Sequence, residues 1–261
     1  MEEWVNISIN WLNAYVGSFK ELTVSQQENF EIKKEHSLRV ANISQYLANR
    51  LELSEEQSQI AYLIGIFHDI GRFRQVAEFD TFSDDKSVDH GDLAIEILKE
   101  DSFFENMEQA KRNLILTAVA NHNKYKIQDG LGEEETLFSR LIRDADKLDI
   151  LKVLTDYYSN PKAKPNHTLT WELPKGNVVS TAVVKEVMGG KMVSKKNVVS
   201  EMDAKIMQMS WIYDINFRAS IELLIKNRFL EIIYSTLPKN DLIIDIHRKI
   251  KVFSENKILV R

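Results

Sequence analysis

Apolar residues recur at three- and four-residue intervals along almost the whole chain, and only 9 glycines and 4 prolines interrupt its 261 residues. That interval is the period of an amphipathic helix, and so few breakers leave little room for the many short strands and turns of a β fold. The expected fold class is all-α. Trp4, Ile7, Trp11, Ala14 and Tyr15 mark the inward face of a first helix. A second, over about 28–50, is expected to turn Leu38, Val40, Ile43, Tyr46 and Leu47 inward. LSEEQ at 53–57 is a start signal, with Ser54 as N-cap of a helix that carries AYLIGIFHDIG and stops near Gly71. Residues 72–86 read as a connecting loop, followed by helices at about 88–99, 107–122 and 134–158 and several after 178.

Two prolines in SNPKAKPNH at 159–167 break the pattern and suggest a division into a core, 1–160, and a mostly helical C-terminal extension, 161–261. TLTWEL, just beyond, alternates like a short strand. GGKMVSKKN at 189–197 reads as a basic, solvated loop. The extension carries no interpretable motif. Its apolar residues Leu223, Leu224, Phe229, Leu230, Ile232 and Ile233 suffice to pack on the core, cover a site or support a homo-oligomer.

There is no cysteine, which removes thiol nucleophiles, disulfides and cysteine-ligated zinc from consideration and fits a reducing compartment. The start, MEEWVNISINW, lacks the basic and apolar regions of a signal peptide. No stretch approaches the roughly 18 uncharged apolar residues of a membrane span. The expectation is a cytoplasmic protein with no membrane partner. A net charge of -5 gives no reason to expect duplex nucleic-acid binding. It leaves a nucleotide open as substrate, since a local metal can supply the positive field.

Four of the six histidines and one aspartate are evenly distributed: His36, His68, His90, His122 and Asp146 lie 32, 22, 32 and 24 residues apart. Each falls on, or at the end of, its own helix, and facing helices of a bundle can bring such side chains to one point. His68–Asp69 follows the apolar run Ala61–Phe67, where the helix is otherwise buried. A charged Asp buried there costs several kcal/mol unless something compensates it. A divalent cation would do so, because imidazole nitrogen and carboxylate oxygen both ligate it. The dipeptide alone also fits a buried His–Asp hydrogen bond with no metal.

His36 in HSLRVA, His68–Asp69 in FHDIGR and Asp146 in DADKLD resemble the H…HD…D signature of the HD-domain superfamily of metal-dependent phosphohydrolases, in local context as well as in letters. The likeness covers roughly residues 30–155. It implies an HD-domain helical bundle with His36, His68, Asp69 and Asp146 around a metal. Some subfamilies carry H…HD…H…H…D and bind two metals. His90 and His122 stand in the matching order, so the resemblance implies a second metal held by both, with Asp69 bridging. Asp146 fits the closing position better than Asp144, which is expected to be exposed or an accessory acceptor. Asp149, one turn on, is placed to orient a ligand histidine.

Arg72 and Lys147 flank the implied ligands and are candidate phosphate contacts, with Asp69 as the catalytic carboxylate; the two cations also fit ordinary surface charges. Arg39 is a weaker candidate of the same kind. His167 and His247 lie outside the resemblance and read as structural or surface residues. The implied activity is hydrolysis of a phosphomonoester or phosphodiester, with a nucleotide or small phosphate ester as partner. The mixed ligands favour manganese, iron, cobalt, nickel or zinc over magnesium. The same ligand set also serves di-iron oxygenases of the superfamily, and a regulatory domain without turnover is a third reading. No GYP triplet follows the histidines, IGRF replaces the acidic pair of alarmone hydrolases, and the dNTP triphosphohydrolase pattern is absent.

Overall fold

The computed structural model describes residues 2–160, 162, 171, 173–176 and 178–259. They divide into two compact units, Met1–Asp149 and Ile150–Arg261. The first contains α1 (Glu2–Ser18), α2 (Val24–Arg50), α3 (Glu55–Phe67), α4 (Gly71–Phe79), α5 (His90–Glu100), α6 (Gln109–Asn121) and most of α7 (Glu133–Ser159). The second contains the end of α7, then α8 (Thr181–Met188), α9 (Glu201–Ser210), α10 (Arg218–Lys226), α11 (Phe229–Ser235) and α12 (Asp241–Leu259). No strand occurs among the described residues, and the fold is all-α. Among the described residues, no helix is long and apolar enough to cross a membrane. TLTWEL and His167 fall largely or wholly outside the described residues.

Helix starts follow local chemistry. Ser54 accepts from Gln57 N, and the Gln57 side chain accepts from Ser54 N, so two of the free amides at the start of α3 are satisfied reciprocally. Thr23 and Gln26 form the same box on α2. That cap starts α2 a turn earlier than periodicity predicts.

Two inward faces differ from expectation. On α2, Tyr46 is exposed and Leu38 and Ile43 only half-buried, while Val40, Ala41, Ser44, Leu47 and Ala48 are buried. The reason is the crossing with α3. A Cβ built on Gly65 would lie 2.4 Å from Ala41 Cα, so only small side chains fit between these backbones. On α1, Ile7 and Ala14 face solvent; Ser8 and Leu12 are buried. Trp11 donates to Asp101 Oδ1 at 2.9 Å and packs edge-on against Phe67.

The expected loop over 72–86 is instead α4 followed by a shorter connection. After Phe67 the chain makes a tight turn, Ile70 N to Phe67 O and Arg72 N to Asp69 O, and the helix restarts at Gly71. Phe73 and Val76 supply a buried apolar face, while Arg74 pairs with Glu78 one turn on. The polar residues between them hide this short period from a sequence reading. Gly71 permits the restart, because a Cβ there would lie 2.1 Å from the carbonyl oxygen of His90. The α3–α4 turn and the first residue of α5 are thereby pressed together.

In the second unit, Asp203 is buried and accepts from Ser180 N, Ser180 Oγ and Val199 N. Leu224, Phe229, Leu230 and Ile233 are buried with Met207 and Met209. His247 stacks flat on Tyr234 at 3.8 Å between ring centroids.

Candidate metal centre

Five elements deliver the site. His36 lies within α2, His68 follows the last residue of α3, His90 opens α5, His122 follows α6, and Asp146 lies within α7. All four histidines and Asp69 are buried.

Each imidazole is held through Nδ1. His68 Nδ1 donates to Gly65 O at 2.8 Å and His122 Nδ1 to Val119 O at 2.6 Å. Both carbonyls lie in the last turns of α3 and α6, and Val119 O also accepts from His122 N at 3.4 Å. His36 Nδ1 bonds Asp149 Oδ2 and His90 Nδ1 bonds Asp84 Oδ2, both at 2.7 Å. A carbonyl or carboxylate can only accept, so each Nδ1 carries a proton and the four Nε2 atoms point inward.

The inward atoms form two sets. His36 Nε2 lies 3.2 Å from His68 Nε2, 3.2 Å from Asp146 Oδ1 and 3.4 Å from Asp69 Oδ2. His68 Nε2 lies 3.7 Å from the same Asp69 oxygen and 3.8 Å from Asp146 Oδ1. In the other set, His90 Nε2 and His122 Nε2 are 3.0 Å apart, and 3.3 and 3.8 Å from Asp69 Oδ1. The two Asp69 oxygens therefore face different imidazole pairs. His36, His68 and Asp69 form one cluster able to hold a metal ion, and Asp69, His90 and His122 form another.

The chemistry of these donors fits cations. In the His90–His122 set, imidazole Nε2 lone pairs and the Asp69 carboxylate oxygen are acceptors, and acceptors at 3.0–3.8 Å repel unless positive charge lies among them. Burial pushes the His68 and His90 imidazoles down to about 3 and about 4, so both are neutral. Burial and Lys33 also push His36 down, but hydrogen bonds to Asp146, Asp149 and Asp69 outweigh them and raise it to about 10. Burial works to raise Asp69, yet Lys33 and the surrounding histidines hold its carboxyl well below the usual range. A site that keeps two carboxylates ionised and a proton on His36 has the negative potential a divalent cation needs.

The outer contacts answer several expectations and add residues that sequence reasoning missed. Asp149 orients His36, and Arg39 grips its carboxylate through Nε at 2.7 Å and Nη2 at 3.0 Å. Asp144 is fully buried, so of its two expected places, exposed or an accessory acceptor, the exposed one does not hold. Arg72 Nη1 donates to Asp84 Oδ1, Gln75 Oε1 and Phe82 O, while its buried Nε has no acceptor and stands 3.6 Å from Asp69 Oδ1. Lys147 is largely buried, with Nζ 3.5 Å from Arg143 O.

Asp84, Lys33 and Arg143 were not anticipated. Asp84 joins Arg72, Gln75 and His90. Only its acidity six residues before His90 could have signalled it, and Asp85 carries the same signal. Lys33 Nζ donates to Asp69 Oδ2 at 2.6 Å. Arg143 is fully buried and donates to the carbonyls of Asn121, His122, Lys124 and Tyr125.

A family model described as "HD domain" matches residues 34–151, a span containing all six converging residues. No curated protein and no solved structure matches the chain significantly.

Proposed function

We propose that this chain, whose residues 34–151 match an HD-domain family model, acts as a metal-dependent phosphohydrolase that hydrolyses a phosphomonoester or phosphodiester, a nucleotide or other small phosphate ester, at a site for two divalent transition metals. The observation that carries this reading is the division of Asp69, with Oδ2 toward His36 and His68 and Oδ1 toward His90 and His122. Divalent cations held there supply an acidified water as nucleophile and polarise the phosphoryl oxygens.

The chain's own residues do the rest. His36, His68, Asp146 and Asp69 Oδ2 make one ligand set; His90, His122 and Asp69 Oδ1 make the other. Imidazole with carboxylate suits manganese, iron, cobalt, nickel or zinc better than magnesium. The hydrogen bonds on Nδ1 hold each ring in its ligating orientation, so little reorganisation accompanies loading. Arg72 Nε, buried and lacking an acceptor beside Asp69 Oδ1, is available to donate to a phosphate oxygen. Lys147 adds a positive charge next to Asp146.

Purified protein is expected to hold close to two transition metals per chain, and His90→Ala or His122→Ala to reduce this to one. Elemental analysis checks the count, and wild-type stoichiometry in both variants would refute the second ligand set. The reaction itself is tested by screening nucleotides and phosphate esters for phosphate release with manganese, nickel and iron added separately. Assays without oxygen should retain full turnover; a requirement for oxygen would overturn the hydrolase assignment.

A further inference from the structure

Most positive charge around the site is already engaged. Arg39 is paired with Asp149, Arg72 Nη1 is shared among three acceptors, and Arg143 is buried against four carbonyls. Lys33 differs. Its single hydrogen bond among the described residues goes to Asp69 Oδ2 at 2.6 Å, which leaves two N–H donors of the ammonium unused. Its side chain is 16% exposed, so solutes reach it, and the ammonium lies over the Phe82 ring at 5.6 Å. Arg72 lies over the same ring at 5.9 Å. Phe82 thus sits beside both cations that border the Asp69 carboxylate.

Asp69 Oδ2 is also the oxygen that faces His36 and His68. A dication taking that oxygen would share it with the Lys33 ammonium, two like charges on one atom, and their repulsion is relieved if an anion enters between them. Lys33 is built for this: a flexible four-carbon stem carries a point charge that can leave Oδ2 for a nearby phosphate oxygen. Two dications against two carboxylates already leave the centre positive, and Lys33 adds to the excess. Such a field favours a phosphate with two negative charges over one with a single charge.

We propose that Lys33 is a substrate-phosphate ligand, resting on Asp69 until metal is loaded, and that it directs the site toward the dianionic terminal phosphate of a phosphomonoester. This rests on the phosphohydrolase reading above for the presence of metal and deepens it by naming the substrate class.

The test titrates inorganic phosphate calorimetrically into manganese-loaded wild type, Lys33→Gln and Lys33→Arg, with metal content measured on the same samples. Losing one charge-assisted hydrogen bond should weaken phosphate binding about 10- to 100-fold in Lys33→Gln. Metal content should stay at the wild-type value, and Lys33→Arg should recover most of the affinity. Undiminished phosphate binding in Lys33→Gln, or no phosphate binding by the wild type, would overturn the proposal. So would loss of metal from Lys33→Gln, because Lys33 would then act through Asp69. With p-nitrophenyl phosphate and its bis ester, the monoester-to-diester ratio of kcat/KM should fall at least about tenfold in Lys33→Gln; an unchanged ratio removes the assigned selectivity. If the wild type cleaves neither ester, the hydrolase reading suffers while the phosphate titration still decides the role of Lys33.

Discussion

Asp69→Asn is expected to leave the fold intact, strip the protein of both metals and lower phosphate release by about 10³-fold or more. The substitution keeps the shape of the side chain and removes its charge. One of the two oxygens becomes an NH2 group that can only donate, and whichever rotamer forms, one imidazole pair faces a donor where it had an acceptor. The remaining carbonyl is a weaker ligand for either cation. The metal-free chain should lose some stability, since Asn cannot ion-pair with Lys33 and leaves that largely buried ammonium uncompensated, but the isosteric side chain keeps the fold. The discriminating measurement is thermal unfolding with and without metal. Wild type should gain stability on loading, because the ion binds only the folded form, and Asp69→Asn should gain little. A variant that retains two metals by elemental analysis would sink the bridging role.

Arg143→Leu is expected to destabilise the protein by about 3 kcal/mol or more and to lose the His90–His122 metal before the other. Arg143 is fully buried on α7, and its guanidinium collects the carbonyls of Asn121, His122, Lys124 and Tyr125. Those groups sit where α6 has ended and can no longer bond within it. Leucine fills much of the volume but leaves the carbonyls without donors, each worth about 1–3 kcal/mol when buried and unsatisfied. The segment that relaxes begins at His122. Urea unfolding reads the stability, and elemental analysis of the folded protein reads which set has emptied. Arg143→Lys, which keeps one donor, should fall between; equal midpoints for all three proteins would refute the argument.

Much of this was legible in the sequence because it rests on local pattern. The N-cap of α3 and the spans of α5, α6 and α7 follow from start signals and periodicity, while the gathering of His36, His68, His90, His122 and Asp146 is expected from their spacing together with the resemblance to HD domains. What escaped depends on tertiary contact. α4 hides because Phe73 and Val76 are its main buried apolar residues and polar ones separate them. The true inward face of α2 is set by the approach of Gly65 to Ala41, which no property of α2 alone reveals. Lys33 lies one turn before His36 among other charged residues, and only the fold aims it at Asp69. Nothing in RDADKLD singles out Arg143, whose role depends on the carbonyls the fold brings to it.

The two proposed ligand sets are unequal in one respect: Asp146 stands beside His36 and His68, whereas among the described residues the Nε2 atoms of His90 and His122 face only the Asp69 carboxylate. Two carboxylates attract a dication more strongly than one, so with two metals as proposed the sets would fill in order, and the second ion would enter against the charge of the first. Under metal scarcity the protein would sit half-filled, with its bridge complete on one side only. If the proposed hydrolysis needs both ions, it would climb steeply over the narrow span of free metal where the poorer set fills, and turnover would follow the metal supply as well as the substrate.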